Sequence, residues 1–177
     1  LKNLITISIL LFFSTAIFAK TIQVGKQQNV KTIQQALLLA ADGDTVLVNP
    51  GHYHEQNIVI DKSIYLIGIN HPVLDGDDKY EVISIKTDGV VVDGFKVINS
   101  GISSIEDYAG IKVYNSNKAI IRNNILDNTF FGIYIQFGFD CLIENNTITA
   151  HSITDQESGN GIHCWKSDSL RILGNTI

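Results

Sequence analysis

The residues whose types and spacing could do chemistry fall into two places. In His52-Tyr53-His54-Glu55, two imidazoles stand at alternate positions of an extended segment, so both project to one side with a carboxylate beside them. Those donors suit copper or zinc. A metal takes three or four ligands, however, and no partner is evident at a matching place further on, so a solvated corner is the plainer reading of His52 and His54. The second place is a pair of recurring columns. Lys112, Tyr134 and His163 form one and Tyr114, Gln136 and Trp165 the other. If these side chains share one face, they make a continuous aromatic and polar strip. The longest segments near them, Asn99 to Ala109 and Thr149 to Asn160, carry Glu106, Asp107, Tyr108, His151, Asp155 and Glu157 and would wall a groove. The candidate binding surface is therefore Tyr114, Tyr134, His163, Trp165, Asp107 and His151. The plain alternative is an exposed sheet with its tyrosines half covered by loops.

What positions the columns is a repeat. Copies begin at Gly110, Gly132 and Gly161, followed by Ile111, Ile133 and Ile162, and two places later by Val113, Ile135 and Cys164. Apolar residues alternate at strand period. A second alternating strand follows, with Ala119, Cys141 and Leu170, then Ile121, Ile143 and Ile172. Fourteen places after each glycine stand Asn124, Asn146 and Asn175, and then Leu126, Ile148 and Ile177. The copies are 22 and then 29 residues apart, yet the alignment holds, so the extra length lies in one corner. Short strands at this spacing predict a parallel β-helix solenoid, an all-β fold whose coils stack about 4.8 Å apart around one core. The asparagines then lie over one another as a hydrogen-bonded structural ladder rather than a ligand site.

Elsewhere the pattern continues. Thr21 to Val24 predicts a strand, and Thr32 to Gln35 a capping box. A short helix follows, apolar at Ile33, Ala36, Leu37 and Ala40 and closed by Gly43; it caps the end of the solenoid, which would otherwise expose strand edges. Thr45 to Asn49, Asn57 to Asp61, Ser63 to Gly68, Val82 to Lys86 and Val90 to Ile98 predict strands, with Pro50-Gly51 and Leu74-Asp75-Gly76 as turns. In the last strand segment Phe95 takes the ladder place of Asn124. These segments amount to roughly six coils, the last incomplete. The chain begins with Leu1 and stops at Ile177 on a repeat position without a closing cap, which predicts a solenoid truncated at its C-terminus within a longer protein.

The chain has 177 residues, 45% hydrophobic and only 18% charged, with two prolines, enough for one domain. Lys2, the apolar run Leu4 to Phe13, and then Ser14, Thr15, Ala16 and Ala19 predict a signal peptide over residues 1–19, leaving 20–177 as the β-helix domain, exported, periplasmic and not membrane-spanning. Removing Lys2 leaves 12 basic against 18 acidic residues, which argues against nucleic acid as a partner. Export permits a disulfide between Cys141 and Cys164, but their repeat offsets point both thiols inward from different strands, as small buried hydrophobes. Catalysis on polysaccharide would require an acid and a base or stacked carboxylates. The outward carboxylates Asp127, Asp140 and Glu144 do not stack, Glu144 sharing its offset with Arg122 and Leu173. No Asp-Pro-His signature of the uronan epimerases occurs. No catalytic residue is assigned.

Three phrases carry a resemblance: Asp107-Tyr108-Ala109-Gly110-Ile111, Phe131-Gly132-Ile133-Tyr134-Ile135 and Gly159-Asn160-Gly161-Ile162-His163-Cys164-Trp165, in that order. Gly43 to Tyr53 fits as well, though many β-helix proteins share that stretch. The sequence resembles the NosD family, periplasmic maturation proteins of nitrous oxide reductase, from the leader to the last residue and over about the first half of a typical member. Cys164 departs from the family, where leucine is commoner. The resemblance implies a right-handed parallel β-helix that is an accessory protein rather than an enzyme. It implies work with the ATPase and permease subunits of an ABC transporter, and with nitrous oxide reductase or a copper chaperone, in assembling the copper-sulfide centre. Copper is the one cofactor it brings, with no ligand set carried over. The alternative is a secreted carbohydrate-binding or polysaccharide-active β-helix, whose aromatic strip stacks on sugar rings.

Overall fold

The computed structural model describes residues 19–103, 105–151 and 159–177. Apart from Ala19, the predicted leader lies outside them. Strands stack in parallel into three sheets. The first holds β1 (Thr21–Val24), β2 (Thr45–Val48), β5 (Tyr65–Gly68), β8 (Val91–Asp93), β11 (Ile120–Arg122), β14 (Leu142–Glu144) and β17 (Arg171–Leu173). The second holds β3 (His52–Tyr53), β6 (Val73–Asp75), β9 (Lys96–Ile98), β12 (Ile125–Asp127) and β15 (Thr147–Thr149), and the third β4 (Ile58–Ile60), β7 (Ile83–Ile85), β10 (Ala109–Tyr114), β13 (Phe131–Gln136) and β16 (Ile162–Trp165). Each coil takes one strand from each sheet in turn. Among the described residues, five coils contribute a strand to all three sheets, and the fold is an all-β parallel solenoid with one short helix.

The repeat sets the register. Ile111 pairs with Ile133 and Ile133 with Ile162; Ile121 pairs with Ile143 and Ile143 with Ile172. The inward column Ile85, Val113 and Ile135 is wholly buried, as are Val92, Ile121 and Ile143 facing it from the first sheet. No coil encloses its own apolar residues; the stack does. From β8 onward the chain leaves the first sheet on one left-handed residue per coil, at Gly94 (φ 79°), Asn123 (54°), Asn145 (54°) and Gly174 (63°). Glycine and asparagine are the residues that occupy this region at least cost, which is why they recur there.

Just inside that turn the ladder forms. Asn124 donates its backbone N–H (3.0 Å) and its side-chain amide (3.1 Å) to Asn146 Oδ1, and Asn146 repeats both bonds to Asn175 Oδ1 at 2.9 Å. The three amides also donate to Val92, Ile121 and Ile143 carbonyls. Phe95, fully buried, stands at the head of the column, and its N–H donates to Asn124 Oδ1 at 3.0 Å.

Several local expectations need correcting. Leu74 and Asp75 belong to β6 rather than to a turn, because the parallel ladder pairs Leu74 with Tyr53 and with Val97, and Asp75 with Ile98. The helix α1 (Ile33–Leu39) buries Ile33, Ala36 and Leu37 against β1, β2 and β4. Thr32 Oγ1 caps it by accepting from Gln35 N–H at 3.1 Å, but Gln35 reaches back to the N–H of Lys31, one residue before the cap. Its first two amides donate instead to the Glu55 carboxylate at 2.7 and 2.8 Å. Gly43 does not close the helix; Ala40 does, in extended conformation, and Gly43 turns the chain into β2. The two cysteines are both free. Cys141 is buried as expected. Cys164 occupies the inward column beneath Ile135 yet is exposed, because no described residue stacks on the last coil.

Candidate functional site

The outward column of the third sheet begins two coils earlier than its sequence repeat suggests. Val59 pairs with Ser84, Ser84 with Lys112, Lys112 with Tyr134 and Tyr134 with His163. Its upper part is not an open strip, as the sequence predicted. Lys112 and Tyr134 are each only 3% exposed, because the segment between β9 and β10 folds over them. Lys112 Nζ donates to the carbonyls of Glu106 (3.2 Å) and Asp107 (3.1 Å), and sits 4.7 and 4.8 Å from the ring centroids of Tyr114 and Tyr134. A cation between two ring faces, desolvated, gains from both quadrupoles.

Beneath this lid lies an acid that sequence reasoning missed. Glu81 is 3% exposed; its carboxylate is 3.9 Å from Lys112 Nζ and accepts from Tyr114 OH at 3.0 Å. Its other oxygen makes a short contact with Ser84 Oγ, whose hydroxyl also faces Asn57 Oδ1 at 2.7 Å. One hydroxyl proton cannot serve two acceptors, so either Glu81 carries a proton or Asn57 presents its amide nitrogen. Burial pushes the Glu81 carboxyl above its ordinary pKa, and the Ser84, Lys112 and Tyr114 contacts only partly oppose the shift. The Tyr114 phenol is pushed up as well, by burial first and then by the neighbouring Glu81 charge. A signal existed in the sequence: Ile83-Ser84-Ile85 has the alternation of Ile111-Lys112-Val113, which extends the column upward to the strand that follows this acid.

Lower down the column opens. His163 meets Tyr134 edge-on at 4.7 Å and Phe131 at 5.0 Å, with Phe130 against Phe131 at 4.9 Å. Its Nδ1 lies 2.9 Å from the Asn160 side-chain amide. Trp165 is 48% exposed, and Lys166 Nζ lies 5.8 Å from its ring and 5.7 Å from that of Phe137. Of the predicted surface, the fold gathers Tyr114, Tyr134, Asp107 and His163 and leaves Trp165 at the strand end. His151 is not among them; it pairs with Asp127 at 2.7 Å on the second sheet. Asp155 and Glu157 lie outside the described residues. Glu144 pairs in register with Arg122 and Leu173, and Arg122 instead bonds Asp93 at 2.8 Å.

The histidine corner gains the partner the sequence did not reveal. His52 and His54 stack at 4.2 Å with 24° between their planes, and Asp75 of the next coil meets His52 Nε2 at 2.9 Å while Asp77 meets His54 Nδ1 at 2.8 Å. One donor atom each from His52, His54 and Asp75 lie within 4.8 Å of one another. Burial raises the Asp75 carboxyl pKa, but bonds from the Asp77 N–H, Asn99 and His52 outweigh it and hold the group below its ordinary value. Two imidazoles and one carboxylate are donors that fit a divalent copper or zinc ion better than calcium.

The parallel coils, the stacked register and the internal ladder define a β-helix protein, and the family model "Right handed beta helix region" matches residues 81–177. The chain belongs to that family. It is also NosD-like: it is 29% identical over 143 residues to the "Probable ABC transporter binding protein NosD" of Pseudomonas aeruginosa, a match covering 80% of this chain and 33% of that protein. The chain thus spans about a third of the length of the curated relative it matches, less than the half that the family resemblance suggested. Among solved structures, a pectin methylesterase in complex with a hexasaccharide is similar at 13% identity and TM-score 0.51, over 89% of this chain and 67% of that one. An Aspergillus niger pectin methylesterase aligns at 15% identity and TM-score 0.41, over 90% and 68%. At 13% identity the first of these likenesses concerns the fold alone. Among the described residues, no helix is long and apolar enough to cross a membrane.

Proposed function

We propose that this chain is part of a periplasmic accessory protein that works with an ABC transporter in assembling the copper-sulfide centre of nitrous oxide reductase. The observation carrying this reading is the similarity to NosD across 80% of the chain, a span in which a relative is named for binding an ABC transporter. The contact surface is the outward face of the third sheet at β13 and β16. There His163 and Trp165 are presented, with Tyr134 packed against His163, Tyr114 two coils up the Trp165 column and Asp107 in the covering segment. His151 stands apart, next to Asp127, and contributes a polar edge to the neighbouring sheet. Aromatic rings with a polar rim suit a protein partner, since they offer apolar area together with orienting hydrogen bonds.

The exposed rings of Trp165, Phe137 and Phe139 favour one second reading, a carbohydrate-binding β-helix in which they stack on sugar rings. The test compares nitrous oxide reductase produced with and without the full-length protein. Loss of the copper-sulfide centre and of N2O reduction in the deletion, restored by complementation, supports the maturation role. Fully active reductase in a deletion without a redundant copy overturns it, and glycan-binding assays follow.

A further inference from the structure

We infer that His52, His54 and Asp75 form a binding site for one divalent transition-metal ion of the zinc or copper class. The inference rests on this corner's geometry and stands apart from the maturation reading. The three residues come from two successive coils, so no sequence motif spans them; His52 lies in β3 and His54 just after it, and Asp75 ends β6 in the next coil.

Neighbouring groups hold the ligands near a common point. Asp75 is the rigid member, with its side chain only 8% exposed. Its Oδ1 accepts from the Asp77 N–H and from Asn99 Nδ2, both at 3.0 Å, so Oδ2 is the oxygen turned toward the imidazoles. His54 is aimed by Asp77. With its Nδ1–H donated to that carboxylate, Nε2 keeps its lone pair for a metal, the arrangement in which a carboxylate fixes the tautomer of a ligating histidine. The stacked rings hold the two imidazoles side by side on one face of the strand. A metal bonded at about 2.0–2.2 Å needs its donors closer than the present 4.8 Å limit, and rotation of the two half-exposed imidazoles supplies that closure. Charge also balances, since Asp75 as ligand and Asp77 behind His54 offset a divalent ion. A cleft of about 540 Å³ lined by Lys26, Lys31, Pro50, Gly51, His52 and Tyr53 opens beside His52 and leaves the remaining coordination positions to solvent.

The test titrates the untagged protein with Zn2+ and with Cu2+ by calorimetry, beside His52→Gln, His54→Gln and His151→Gln. His52 and His54 are half exposed, so their variants keep the fold, which circular dichroism verifies. His151 is the control, because its contact with Asp127 is as close, at 2.7 Å, but lacks a second imidazole. The expected result is one ion per chain in the micromolar range or tighter, weakened at least about tenfold in His52→Gln and in His54→Gln and unchanged in His151→Gln. Absence of micromolar binding by the wild type, or binding that survives unchanged in both His52→Gln and His54→Gln, overturns the site.

Discussion

The solenoid buries polar groups in two ways, and they differ in kind. Inside the turn between the first and second sheets, Asn124 and Asn146 are buried in a ladder that repeats the same bonds from coil to coil. On the outside of the third sheet, Glu81, Ser84 and Lys112 are buried equally well, but by a segment that folds over only those coils. The ladder is one-dimensional and made of neutral amides that match one another. The covered cluster is a single construction, holding an acid and a cation whose desolvation must be offset by each other and by Tyr114 and Tyr134. Repetition makes a polar core cheap to specify; a charged cluster depends on every member being in place.

The comparison is sharpened first at Lys112. Lys112→Met leaves the Glu81 carboxyl buried without its cation and two carbonyls without a donor, and should cost about 3–5 kcal/mol in denaturant unfolding at neutral pH. The deficit should also depend on pH. The folded pKa of Glu81 is raised, so the folded state binds more protons than the unfolded one; the contribution of Glu81 is most favourable below its ordinary value and is lost as pH rises through the folded value. Removing Lys112 moves that folded value further up, so the variant's deficit should grow as pH rises above the ordinary carboxyl range. A pH-independent deficit would show that Glu81 and Lys112 are not coupled.

Next comes the ladder. Asn146→Ala strips the acceptor from both Asn124 donors and the donor from the Ile121 carbonyl, and should cost about 2–4 kcal/mol. Asn175→Ala, in the last described coil and only partly buried, should cost the least, about 1 kcal/mol. Equal losses at 146 and 175 would mean that position in the stack does not matter, and the contrast with the single cluster would fail.

The two regions also differ in how far the sequence exposed them. The asparagines, the inward isoleucines and the place of Phe95 were legible because stacking coils forces equivalent residues into register. Leu74 and Asp75 were misjudged because a three-residue strand ending in Asp-Gly carries turn residues, and only pairing with the coils on either side makes it a strand. For the same reason Asp75 could not be matched to His52 and His54 beforehand. Lys112 and Tyr134 were placed on the correct face, yet their burial depends on the conformation of a corner segment that the repeat does not fix. Glu81 sits before β7, outside the three aligned copies. Cys164 kept its inward register and lost its burial to the absence of a described layer beyond it.

The most direct test of the functional account uses the full-length protein carrying His163→Ala and Trp165→Ala, read through the copper content and N2O-reducing activity of nitrous oxide reductase matured in its presence. The account predicts a folded variant that leaves the reductase short of catalytic copper and inactive. Wild-type copper content and activity would contradict it and move the contact surface away from the outward face of β13 and β16.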